Sequence, residues 1–372
     1  MRVLLAIALA CGIGVAQVEA AEYKAATFVG PKHPIAKGGW GPYFKAVEQQ
    51  SNGALKFRQF LAGSLLEAKG LLGGVRDGVA DAAQVVLTYH PAEFPHGQLV
   101  ADFALYGGDA MVAAAAVTEF NLFHCAPCLA EFKRNGIVYT GAFSTTPYVL
   151  MSKVKIATLA DLKGKKMRTP GSVWDRWATY VGGTPVNLPA NEMFEGLSRG
   201  ILDIAIQAPA ALKSYNLADA AKYLTGLKLG TYHSVAMLAF NPETWKKYSN
   251  GERKILLDNI ALAIVGTVFD YYATDEEAIS EAKSKRIILL EPDKSMLDDL
   301  AAFRETDRAV ILEVAKSKYG IADPGAEFAK LLEIYGKWDA LLKPIRQDRA
   351  KVTEVVKAEL FDKLDPARYG ME

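Results

Sequence analysis

The apolar positions of this chain change period along its length. Between residue 22 and about residue 245, short runs of strand character alternate with stretches of helical spacing. "YKAATFVG" reads as a first strand and "WGPYFKAVEQQSNG" as a helix ended by Asn-Gly. "ALKFRQFL" alternates as a half-buried strand does, and "GIVYTGAF" and "TPYVLMS" read as two more. From "NGERKILLDNIALAIVGTVFDYYATDEEAISEAKSK" onward the pattern is mostly helical. Near the end, Phe328, Leu331, Leu332, Tyr335, Trp338 and Leu342 recur at helical steps, an amphipathic stripe whose usual destination is a core. Strands alternating with helices predict an α/β fold.

Two decapeptides echo each other. Residues 74–83 read "GVRDGVADAA" and residues 196–205 read "GLSRGILDIA". Both run Gly, apolar, two variable positions, Gly, apolar, variable, Asp, variable, Ala. Each follows helical spacing, with Leu71 and Val75 before one and Met193 and Leu197 before the other. The second glycine suits a helix carboxyl cap, where positive φ is cheap only for Gly. The aspartate then fits the turn before a buried strand. Chance can give four identities between any two αβ units; the reading preferred here is two lobes built alike. A chain of 372 residues is the right size for two such lobes. No Ser/Gly-rich or Pro-rich linker divides them, so the chain should cross between the lobes more than once.

Composition removes several function classes. Half the residues are apolar (51%) and 23% are charged, as in globular proteins. With 43 basic against 42 acidic residues the formal charge is +1, which gives no long-range attraction to nucleic acid or anionic lipid. The first 20 residues stand apart: Arg2 is followed by a nearly unbroken apolar run and then by "VEA" before "AEYK". This is the pattern of a secretory signal peptide cut after Ala20. Cys11 in "ALACG" hints at a lipoprotein signal, but the apolar run before it is short and Ala8 stands where such signals usually carry leucine. No later segment reads as apolar enough to cross a bilayer. An exported, periplasmic protein is expected.

Cys125 and Cys128, in "FHCAPCLAEF", are the cysteines left after the leader. Two thiols three apart in an oxidising compartment predict a local disulfide, with free thiols and redox chemistry as the alternatives. Only His124 lies nearby, too few ligands for zinc. "GLSRG" at 196–200 matches the G-x-S-x-G nucleophile elbow, but that chemistry needs a strand running into the serine and a helix leaving it. Here a helix enters and a strand leaves, so Ser198, even with His233 downstream as a base, is a poor nucleophile. The five histidines show no paired-ligand spacing and no phosphate-binding loop is present, so neither metal nor cofactor is expected.

One short stretch carries the strongest chemistry. "LKGKKMRTPGSVWDRW" places Arg168 at the end of a short strand, just before a Thr-Pro-Gly break and a helix. In α/β sheets the carboxyl ends of strands face the crevice where ligands sit. The bland alternative is a surface arginine in a basic run.

The chain resembles the solute-binding proteins of tripartite ATP-independent periplasmic (TRAP) transporters, the DctP family. The resemblance rests on "HPIAKGGWGPYFKAVEQQSNG", "LLGGVRDGVADAA", "LADLKGKKMRTPG", "GGTPVNLPANEMFEGLSRGILD" and "NPETWKKYSNGERKILLDNIALA", in the family's order from residue 23 to about 290. It implies a two-lobe periplasmic binding protein fold (type II-like), with a long helix packed across both lobes and a helical C-terminal tail. The implied division is lobe I from 21–145 plus about 233–275 and lobe II from about 146–232 plus 276–324. Residues 325–372 form an extension longer than the family pattern, and its helices are a candidate dimerisation element.

The resemblance also assigns a site. Arg168 falls where the family pairs an arginine with the ligand carboxylate, a task suited to a planar fork that stays charged when dry. Gln207 stands where relatives often carry a ligand-binding asparagine. Tyr89 follows the matching strand of the first lobe and should reach the same cleft. Tyr148 sits where some sialic-acid-binding members place a second arginine, which argues against a sugar acid. Trp174 is either a pocket wall or core, and His33 is a candidate contact in the loop after the first strand.

The function expected is capture of a small organic acid, a monocarboxylate with an apolar or aromatic body, and its delivery to TRAP-type small and large membrane subunits, without catalysis. The alternatives are the same role for an ATP-driven importer, which neighbouring permease genes would distinguish, and an exported hydrolase or redox enzyme, which turnover would reveal.

Overall fold

The computed structural model describes residues 22–371. The expected signal peptide, the expected cleavage after Ala20 and Cys11 lie outside them. The strands come in chain order as β1 (Glu22–Ala26), β2 (Lys56–Phe60), β3 (Ala82–Val86), β4 (Val138–Tyr139), β5 (Val149–Ser152), β6 (Lys166–Thr169), β7 (Thr184–Asn187), β8 (Ile204–Gln207), β9 (Tyr223–Thr225), β10 (Val235–Phe240) and β11 (Ile288–Leu290). They form a five-stranded sheet, β2-β1-β3-β10-β4, and a six-stranded sheet, β11-β9-β5-β8-β6-β7.

The two sheets are built to one plan. Each has a parallel triplet, β2-β1-β3 in one and β7-β6-β8 in the other, with an antiparallel strand laid against its third member. The echoed decapeptides occupy the same place in each triplet. Gly78 and Gly200, at φ of 75° and 72°, turn the chain from a helix into β3 and β8. Asp81 then accepts the Lys24 N–H at 2.8 Å and Asp203 accepts the Lys166 N–H at 2.8 Å, tying the start of β3 and of β8 to the central strand of its triplet. The repeat is therefore a matching hydrogen-bond scheme as well as matching letters.

The chain passes between the sheets at three places: from β4 to β5, from β9 to β10, and from β10 to β11. The last passage is a helix of 22 residues, Ile260–Glu281. Near its start Gly266 lies so close to Gly38 that a Cβ on Gly38 would stand 2.4 Å from the Gly266 carbonyl oxygen, so neither position has room for a side chain. Toward its end Asp275 accepts the Ala210 N–H at 2.6 Å and Lys213 meets Glu277 and Glu281, all across the β8 side. One helix thus touches both lobes. The run Asn250–Glu281 is long and apolar enough to span a membrane, contrary to the expectation from sequence; 67% of its apolar window is buried inside the protein, so core packing explains it.

The C-terminal extension folds back on the first lobe. Helices Pro324–Leu342 and Arg349–Leu360 bury Phe328, Leu331, Trp338, Leu342, Val352 and Val356. Trp338 Nε1 donates to Glu119 at 2.6 Å, and Lys337 pairs with the same carboxylate at 2.9 Å. The apolar stripe is spent on the chain's own surface, so the idea of dimerisation through these helices finds no support and is withdrawn.

Cys125 and Cys128 stand at the start of helix Ala126–Arg134 with their sulfurs 1.95 Å apart. On the same side of the molecule, His96 faces Glu131 at 2.5 Å and Glu327 at 3.4 Å, linking the core to the extension. Burial disfavours the imidazolium, but the hydrogen bonds to Glu131 and Glu327 outweigh it and raise the His96 pKa to about 9. The folded value lies above the unfolded one of about 6.5. Its stabilisation is therefore complete below pH 6.5 and is lost as pH rises through 9. After allowance for solvent screening it should be about 1–2 kcal/mol. Urea unfolding at pH 6 and pH 9 checks this: the wild type should weaken by that amount, and His96→Gln should lose the dependence.

Candidate functional site

Between the two sheets lies a narrow, tightly closed cavity with about 30 Å³ accessible to solvent. Three groups of residues line it. Phe28, His33, Ile35, Gln84, Val86 and Tyr89 come from the first lobe, Tyr148, Arg168, Pro170, Ala190, Gln207 and Tyr215 from the second. Phe143, Thr145, Tyr232 and Tyr271 come from the crossing segments and the long helix.

Arg168 ends on the cavity because β6 sits between β7 and β8 and runs into Pro170, which cannot continue the ladder. Its side chain is only 1% exposed. Nε donates to the Leu188 carbonyl at 3.0 Å, Nη1 to the Ile206 carbonyl at 3.1 Å and Nη2 to the Tyr89 hydroxyl at 3.4 Å. All three partners are neutral. A guanidinium has five N–H donors, so two are left over, one on each terminal nitrogen. That is a fork set for a carboxylate, and among the described residues no carboxylate pairs with this buried charge.

The remaining polar groups are mostly donors. Tyr89 accepts N–H bonds from both Arg168 and Ala190, which leaves its own hydroxyl hydrogen free. This contact also ties the first lobe to the second across the cleft. Tyr148 has Thr145 and Gln207 within hydrogen-bonding reach, and Gln207 Oε1 accepts the Ala208 N–H at 3.0 Å. Burial holds the phenols of Tyr89, Tyr148, Tyr215, Tyr232 and Tyr271 above their ordinary pKa, so each stays protonated. Burial also pulls His33 down to about 3, leaving it neutral. Such a lining suits an anion with one charge at Arg168 and a flat or apolar body among the rings.

Of the residues singled out from sequence, Arg168, Gln207, Tyr148, Tyr89 and His33 all line this cavity. Trp174 does not. It is fully buried behind the site, donating to the Leu229 carbonyl at 2.8 Å and packing on Tyr148 with ring centres 5.4 Å apart. Gln84, Tyr215, Tyr232 and Tyr271 line the cavity without having been singled out. Gln84 had a readable signal, a lone amide inside the apolar run "AAQVVL". The hydrolase constellation is dispersed: Ser198 is exposed at a helix end, and His233 is buried with Nε2 at 2.9 Å from the Val100 carbonyl.

Comparison with known proteins follows the same lines. Residues 25–318 match the family described as bacterial extracellular solute-binding protein, family 7. A "solute-binding protein" of Albidiferax ferrireducens is 25% identical over 193 residues, 50% of this chain and 54% of that relative, so the alignment spans about half of it. A TRAP solute-binding protein from a marine metagenome, specific for aromatic acid ligands and complexed with metahydroxyphenylacetate, has a TM-score of 0.77 at 23% identity, over 86% of this chain and 99% of that one. A Rhodoferax ferrireducens TRAP protein with copurified benzoate gives 0.78 at 20% identity, with coverage of 86% and 99%. One from Bordetella bronchiseptica with bound mandelate gives 0.74 at 21%, with coverage of 86% and 100%.

Proposed function

The chain belongs to the bacterial extracellular solute-binding proteins of family 7, the DctP family of TRAP transporters, and from that membership we propose that it captures a small aromatic or apolar monocarboxylate in the periplasm. It delivers this ligand to the small and large TRAP membrane subunits, with binding and release but no turnover. The observation that carries the reading is Arg168: a buried guanidinium, neutral partners, two N–H groups unspent, at a cavity walled by tyrosines and phenylalanines. Tyr148 in place of a second arginine leaves one carboxylate clamp, which favours a monoanion. Relatives of the same fold hold metahydroxyphenylacetate, benzoate and mandelate.

The lobes are assigned as 21–145 plus about 233–275 and about 146–232 plus 276–324, followed by the extension. Sheet membership supports this division. Ligand closes the lobes by giving Arg168 its counter-ion, and the closed form is what the membrane subunits recognise. The test is thermal unfolding in the presence of benzoate, mandelate, a dicarboxylate and a sugar acid. A ligand at a hundred times its Kd should stabilise by about 2.7 kcal/mol. Aromatic monocarboxylates should raise the midpoint; a response confined to dicarboxylates or sugar acids overturns the ligand class.

Export implies that the leader is removed after Ala20 and that Cys125 and Cys128 join in the oxidising compartment. Intact mass of periplasmic protein tests both together. The expected species begins at Ala21 and is lighter than its reduced form by the two thiol hydrogens. An acyl chain on Cys11, or unchanged mass on reduction, contradicts the respective half.

A further inference from the structure

Where the long helix lines the cavity stands a pair, His33 and Tyr271, that the carboxylate clamp does not use. His33 Nδ1 accepts the Ile35 N–H at 3.2 Å, so the neutral ring carries its proton on Nε2. Nε2 lies 3.2 Å from the Tyr271 hydroxyl. The imidazole N–H therefore donates to the phenol oxygen, and the phenol hydrogen has to go elsewhere. The two rings meet edge to face at 5.6 Å, and Phe143 stacks on Tyr271 with centres 6.2 Å apart, which fixes the ring. Both His33 and Tyr271 line the cavity.

We propose that Tyr271, with its donor oriented by His33, reads a hydrogen-bond acceptor on the ligand other than its carboxylate, making this a receptor for ring-oxygenated aromatic acids rather than plain ones. The inference rests on the aromatic-monocarboxylate reading above. An acceptor such as a ring hydroxyl oxygen takes the phenol hydrogen, whereas an unsubstituted ring leaves that donor buried and unpaired. Sites built to bond a polar group discriminate strongly against analogues lacking it.

Calorimetry with benzoate, 3-hydroxybenzoate and 4-hydroxybenzoate, on the wild type and on Tyr271→Phe, tests this. The wild type should bind at least one hydroxylated acid about tenfold or more tighter than benzoate. In Tyr271→Phe that ratio should fall to near one; melting curves confirm that the variant folds. If the wild type binds all three acids equally, or the ratio survives in Tyr271→Phe, the proposal is wrong while the aromatic-acid reading stands. If none of the three binds, the aromatic-acid reading itself fails, and the proposal with it.

Discussion

Arg168→Ala should weaken ligand binding by about 2–5 kcal/mol, roughly thirty-fold to several-thousand-fold in Kd. The cost arises because the ligand carboxylate would enter a buried cavity and find neutral phenols where it needs a charge. Lysine should recover only part of the loss, since its ammonium cannot match both carboxylate oxygens while also serving the Leu188 and Ile206 carbonyls. Those two carbonyls also give Arg168 a part in the fold. The guanidinium is 1% exposed and satisfies main-chain acceptors. Ligand-free Arg168→Ala should therefore lose about 1–3 kcal/mol of stability rather than nothing. Calorimetry with the best ligand, beside urea unfolding of the ligand-free variants, separates the two effects. Unchanged affinity would remove the clamp, and a ligand-free chain that fails to fold would make Arg168 a structural residue.

The parts of the site that were legible in the sequence are those tied to a local rule. Arg168 could be found because strand-ending positions in α/β sheets face the crevice, and the Thr-Pro-Gly break marks the strand end. Asp81 and Asp203 could be found because a repeated letter pattern reflects a repeated hydrogen bond. Tyr271 was not legible, because in sequence it is one more apolar position on a long buried helix. Its role depends on a histidine 238 positions away. Tyr232 is hidden in the same manner, since the loop carrying it meets the cavity only when β10 returns to the first sheet. Trp174, read as either a pocket wall or core, takes the second place. An aromatic one turn after Arg168 suggests a wall, yet a helix places that residue on the face turned inward, where its indole N–H finds the Leu229 carbonyl. Periodicity says that a ring is buried, not whether it is buried at a ligand or behind one.

The extension of residues 325–372 offers the second large effect. Its amphipathic stripe was readable, but its destination was not, because the surface it covers was written two hundred residues earlier. Helix Ala110–Glu119 is buried along its whole length and carries alanine, valine and methionine on every side. Such a helix is stable only when covered all round, and Pro324–Leu342 is part of that cover. Glu119 adds a polar reason: it is 6% exposed and is held by Trp338 and Lys337, both from the extension. Further along, the Pro366 carbonyl accepts from Arg253 at 2.6 Å and the Tyr369 carbonyl accepts from the Trp245 indole at 2.8 Å. A chain ending at Gly320 would uncover the alanine-rich helix and leave Glu119, Arg253 and Trp245 without these partners. Each buried Leu, Val or Phe lost with the extension is worth about 1.5–3 kcal/mol, and together they approach the whole stability of an ordinary domain. The expected result is a chain recovered insoluble, or soluble but without a cooperative melt. Trp338→Ala in the full chain is the milder version, with a loss of about 3–5 kcal/mol from the cavity it leaves. A truncated chain that stays soluble and melts cooperatively at the full-length temperature would show that the extension is an appendage, and the cover assigned to it would be wrong.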